Sequence, residues 1–158
     1  MITRKSLGRR KTVTEQEFLE ALKKADPEAA STLPAFFEEC EDAGLTITRT
    51  GASMIIHWFD EDGAKFNFGT VSLQGKLDTN YICWSAEKAG DISIGEDYLE
   101  GVADIIGNAE VRKEGNPWSW RVIKNGQHPP VTDLLEAKDQ WLELITKTIE
   151  KFRSAKAE

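Results

Sequence analysis

The spacing of apolar residues changes period twice along this chain, and that change limits the folds open to it. Up to Ala43 the period is helical: Phe18, Leu19, Leu22 and Ala25 form one stripe, and Leu33, Phe36, Phe37 and Cys40 another. From Leu45 to Trp84 the period is two. It becomes helical again from Ser93, through Tyr98, Leu99, Val102, Ile105 and Ile106, and in a last helix from Asp133 to Ala155. The strands are consecutive and do not alternate with helices, which predicts an α+β fold.

Local signals place the boundaries. Thr14 with Glu17, and Ser93 with Glu96, read as capping boxes. Asp26-Pro27 separates the first two helices, Pro34 marks a start or kink in the second, and Gly44 suits its end. The strands expected are Leu45–Thr50, Ser53–Phe59, Ala64–Leu73 and Lys76–Trp84, joined as an antiparallel four-stranded meander. A change of phase at Gly69 suggests a bulge. Glu110–Lys113 and Trp118–Lys124 are expected to form a hairpin, and the long C-terminal helix is expected to break near Lys138. Trp118, Trp120 and Val122 alternate, so both indoles are expected on one strand face, packed under the helix that brings Trp141, Ile145 and Ile149.

Charge divides the chain. Five of its 20 basic residues (Arg4, Lys5, Arg9, Arg10 and Lys11) precede the first acid, Glu15, which leaves 15 bases against 27 acids. Residues 1–12 are expected to be a disordered basic leader and residues 13–155 a single domain. An acidic body repels nucleic acid, so only the leader could contact phosphate. No apolar run reaches the ~20 residues of a membrane helix, and no apolar segment follows the basic start as in a secretory signal. With just Cys40 and Cys83, the expected compartment is the cytoplasm, with both thiols reduced.

Little in the chain resembles chemistry. His57, His128, Cys40 and Cys83 lack metal-ligand spacing, so no metal is expected. Glycine-rich phosphate loops and a serine elbow are absent, and no cofactor is implied. Asp60, Glu61 and Asp62 read as a solvated hairpin tip. Pairing residue 59 with 64 puts Ile55, His57, Phe59, Phe66 and Phe68 on a core face, joined by Tyr81 and Cys83. The opposite face then carries Met54, Ile56, Trp58, Lys65, Asn67, Ile82 and Trp84. Trp58, Lys65, Asn67 and Trp84 are the candidate binding residues, because a lysine between two indoles can make cation–π contacts. No catalytic residue is named. The competing expectation is that a helix covers this face and Lys65 reaches past it to water.

The stretches TEQEFLEAL, Ala43-Gly44-Leu45, GKLDT at Gly75–Thr79 and Leu134-Leu135 resemble an uncharacterised bacterial module, found alone or following nuclease-like or other effector domains. The resemblance spans Thr14 to Phe152 and carries no catalytic residues. It implies an accessory domain, with the basic leader as the place where a partner domain is attached in relatives. Two function classes follow. One is a non-catalytic interaction module with a protein partner. The other is an enzyme, or a nucleic-acid-processing accessory, with a dispersed site near His57, Tyr81 and Cys83. Nothing in the sequence specifies an oligomeric state.

Overall fold

A computed structural model describes residues 13–50 and 52–157; the expected leader lies outside them. Two helices, α1 (Val13–Ala25) and α2 (Pro27–Asp42), precede a four-stranded antiparallel sheet in the order β1-β2-β3-β4. The strands are β1 (Thr46–Arg49), β2 (Ser53–Phe59), β3 (Lys65–Ser72) and β4 (Leu77–Asp78). Helices α3 (Ile82–Lys88) and α4 (Ile92–Ile106) follow, then a hairpin of β5 (Glu110–Arg112) and β6 (Arg121–Ile123). A short helix, α5 (Thr132–Leu135), leads into the long α6 (Lys138–Ala157). The fold is α+β, as the change of period predicts.

Caps explain several boundaries. Asp26 accepts a 3.1 Å hydrogen bond from the Ala29 amide and starts α2, which then runs through Pro34. Asp91, not Ser93, caps α4, accepting from the Ser93 amide at 3.1 Å. The cap expected at Thr14 falls inside α1, which already includes Val13. Gly44, at φ +96°, supplies the left-handed backbone that ends α2.

The sheet register differs from the expected one by a single residue. Phe59 pairs with Lys65 and Trp58 with Phe66, so the turn holds five residues rather than four. The Asp60 carboxylate shapes it, accepting from the amides of Asp62 (2.9 Å) and Ala64 (2.8 Å). A one-residue slip exchanges the faces of a strand. Met54, Ile56 and Trp58 therefore face the core together with Phe66, whereas Ile55, His57 and Phe59 lie on the other side. Past the tip, a bulge inserts Phe68 between Asn67, the partner of His57, and Gly69, the partner of Ile56, so the core face passes from Phe66 and Phe68 to Gly69 and Val71. Gly69 sits in this bulge because a Cβ there would lie 2.8 Å from Leu77 Cδ1.

The fourth strand is much shorter than expected. Asp78 accepts from the Asn80 amide at 2.8 Å and turns the chain out of the sheet after two residues. The segment read as its continuation is α3, which buries Ile82, Cys83 and Ala86 at helical spacing. This helix lies beside β3, with Ser85 Oγ donating to the Lys65 carbonyl at 3.2 Å.

The inner face of the sheet packs against α4 and α6. Tyr98 of α4 donates to the Phe68 carbonyl at 2.6 Å. Trp141 of α6 stacks on Phe36 of α2, with centroids 4.8 Å apart. Buried apolar residues from every layer join in one cluster. Trp118 and Trp120 do not lie under α6 as expected. Pro117 opens a 3-10 turn, Pro117–Ser119, which breaks the alternation. Trp118 is 45% exposed and Trp120 is half-buried, with Lys113 Nζ 5.5 Å from its ring centroid. Among the described residues no helix is long and apolar enough to cross a membrane.

Candidate functional site

At the tip of the β2–β3 hairpin, the sheet, α3 and the last turns of α6 enclose an open groove of about 1080 Å³. Its floor is apolar. Trp58 and Phe66 come from adjacent strands, and Phe152 of α6 lies 4.4 Å from Phe66, centroid to centroid. Phe59 at 43% exposure and Trp84 at 44% line the opening.

Three of the four cationic side chains at this groove are held in place, two against indole rings and one by carboxylates. Lys88 Nζ stands 4.3 Å from the centroid of the Trp84 ring, one turn back along α3. Arg153 stands 5.6 Å from the centroid of Trp58. Lys156 bridges the hairpin tip to α6, pairing with Asp62 and, at 3.4 Å, with Asp60. Burial pushes the Asp60 carboxyl up, but the Ala64 and Asp62 amides and the Lys156 ammonium outweigh it, so its pKa is lowered. Lys65 is exposed at the groove edge.

The candidate binding residues are thus divided. Trp58, Lys65 and Trp84 do border one groove, though not as a row across a sheet: Trp58 is on the floor and Trp84 arrives on a helix. Asn67 is elsewhere and supports the bulge, accepting from the Gly69 amide at 2.8 Å and donating to Thr70 Oγ1 at 3.2 Å. The sequence reading missed Lys88, Phe152, Arg153 and Lys156. Lys88 was legible only as the residue four after Trp84 in a helix, a relation lost when that segment is read as a strand.

The alternative site does not assemble on a shared core face. His57 is 4% exposed on the outer side of the sheet, where Nδ1 and Thr48 Oγ1 share a 2.8 Å hydrogen bond. Burial, helped by the nearby Lys65 charge, lowers its pKa to about 4. Cys83 is buried in α3 against α4, and desolvation, with Glu96 adding to it, pushes its thiol up to about 12. Tyr81 is 42% exposed and stacks on Trp118, centroids 6.2 Å apart. No cluster of three or more His, Cys, Asp and Glu side chains suited to a metal ion occurs among the described residues.

Tyr81 connects the groove to a wider surface. It sits at φ +85°, a conformation rarely adopted by a bulky side chain. Its amide donates to the Trp118 carbonyl at 3.0 Å. Trp84 follows one turn later on α3 and carries the aromatic surface to the groove. Compared with known proteins, the chain matches no protein-family model, no curated protein and no solved structure.

Proposed function

We infer that this chain is a non-catalytic interaction module that docks a partner protein along its aromatic strip. One observation carries the reading. The large hydrophobic side chains exposed among the described residues are Phe59, Tyr81, Trp84 and Trp118: Phe59 and Trp84 line the groove, Tyr81 stacks on Trp118, and the first turn of α3 joins the two pairs. Single exposed apolar residues are ordinary, but a contiguous run of them marks a contact surface. Tryptophan and tyrosine also dominate the energetics of protein interfaces. The strained backbone of Tyr81 supports the reading, since strain of ~1–3 kcal/mol persists where it serves a site. The titrating groups support it too. A histidine with a pKa near 4 and thiols near 12 are poorly matched to acid–base or nucleophilic work at neutral pH.

The test is cross-linked capture of partners from cells of the native host, followed by affinity measurements with the purified partner. Trp84→Ala and Trp118→Ala remove largely exposed rings, so both variants should stay folded, with urea midpoints close to that of wild type. A captured partner that binds both variants much more weakly supports the docking strip. If the double variant binds every captured partner as tightly as wild type does, the strip is not the docking surface.

A further inference from the structure

We propose that the groove takes an acidic peptide segment of the partner, with a large apolar side chain as its anchor. This rests on the groove being part of the docking surface and adds the chemistry of what enters it.

The argument is one of charge. Acids outnumber bases by 27 to 20 in this chain, yet of the six lysines and arginines without a carboxylate partner among the described residues, three gather at the groove, while Lys23, Lys24 and Lys76 lie elsewhere. Away from the groove many cations are paired: Arg49 with Glu15 and Glu41, Lys124 with Asp133, Lys138 with Glu39. At the groove, Lys65, Lys88 and Arg153 pair with no carboxylate among the described residues, although the acidic hairpin tip is close by. Lys156 holds Asp60 and Asp62, and Glu61 is the third acid of the lining, so its four bases leave a small positive excess, carried by Lys65, Lys88 and Arg153. Lys88 and Arg153 lie against indole rings, which orient them without neutralising them.

An occupant with spaced carboxylates would satisfy these cations. Between them, the exposed rings of Phe59 and Trp84, above the buried floor of Trp58, Phe66 and Phe152, offer apolar contact for one leucine, phenylalanine or tryptophan. The volume, about 1080 Å³, lies at the upper limit of small-molecule pockets (roughly 300–1,000 Å³) and suits a short peptide segment. A nucleic acid fits less well: its phosphates would run past the three cations onto the body of a chain of net charge -7, whereas a short acidic segment ends within the groove. The same net charge opposes a second copy of the chain.

The experiment is selection of a random peptide display library on the immobilised full chain, with Kd then measured for the enriched peptides in fluorescein-labelled form. The expected result is enrichment of Asp and Glu around one large apolar residue. Binding should weaken as salt rises, since exposed charges are screened. Each of Lys65→Glu, Lys88→Glu and Arg153→Glu should weaken it about tenfold or more, equivalent to ~1.4 kcal/mol, while Lys24→Glu on α1 leaves it unchanged. Circular dichroism confirms that each variant is folded. Neutral or basic peptides that still require Trp84 would overturn the acidic occupant and leave the groove as a docking surface. If no enriched peptide requires Trp84, both readings fall. A concentration-dependent dimer that Trp84→Ala dissolves would make a second copy the occupant and also overturn the proposal.

Discussion

The indole nitrogen of Trp141 donates to the hydroxyl of Tyr98 across 3.0 Å, deep in the core. That hydroxyl donates in turn to the Phe68 carbonyl at 2.6 Å. One phenol therefore links α6, α4 and the bulge of β3. Both partners are fully buried, so neither can turn to water instead. Burial also raises the phenol pKa, keeping the hydroxyl protonated as the relay requires. Tyr98→Phe should leave the indole nitrogen unpaired and deprive the carbonyl of this donor, at about 1–3 kcal/mol for each buried group left unsatisfied. The expected outcome is a lower urea midpoint at an unchanged slope.

Three tryptophans should rank in stability by burial. Trp141→Ala removes a fully buried ring and should cost about 3–5 kcal/mol. Trp118, nearly half exposed, should cost under about 1 kcal/mol, as surface substitutions usually do. Half-buried Trp120 should fall between them. Urea melts of the three alanine variants measure this directly. A Trp118 variant as unstable as the Trp141 variant would contradict the placement of Trp118 on the surface.

Two glycines on α4 should respond differently to alanine. At Gly95 a Cβ would lie 2.9 Å from the Cys83 Cα, and backbone cannot yield as a side chain can. At Gly101 the obstacle is the end of Leu144, at 2.8 Å, which can change rotamer. Gly95→Ala should therefore cost at least about 1–3 kcal/mol through overpacking. Gly101→Ala should be much nearer neutral, since helix propensity returns up to about 1 kcal/mol. Thermal melts compare the pair. Gly95→Ala should also push α3 away from α4, altering Trp84 fluorescence.

His57 should make stability depend on pH over a defined window. Its folded pKa is about 4 against an ordinary 6.5, so between these values the unfolded chain binds more protons. Its contribution is complete above pH 6.5 and lost as pH falls towards 4, amounting to about 2–3 kcal/mol in all. Carboxylates titrate nearby in pH, so the measurement is a difference. Wild type should lose more stability than His57→Gln between pH 7 and pH 4. Equal losses would show that His57 is protonated as readily in the fold as in water.

Much of the fold was legible from period and punctuation. Period placed the helical stripes of α1, α2, α4 and α6, while punctuation was right at Asp26-Pro27, Gly44 and the break before Lys138 but misplaced the caps of α1 and α4. The misreadings arose where one residue decides. An Asp60-centred turn of five residues in place of four exchanged the faces of β2, so Trp58 is core and His57 is not. Asp78 ended β4 through a side-chain hydrogen bond, and the residues after Tyr81 alternate by chance while burying a helical face. The groove was only partly legible for the same reason. Trp58, Lys65 and Trp84 were expected to be neighbours, but the contributions of Phe152, Arg153 and Lys156 depend on tertiary packing that no local period encodes.

The pairing of Phe36 with Trp141 has a consequence for how the protein is made. The ring of α2 emerges early from the ribosome and its stacking partner much later, with the whole sheet translated between them. Until α6 is synthesised, the inner face of the meander presents Trp58 and Phe66 with no lid from that helix. Such exposed apolar surface invites association between nascent chains. The protein should therefore complete its fold late, after α6 has left the exit tunnel, and its yield in a cell should rise with chaperone supply more steeply than its final stability would suggest.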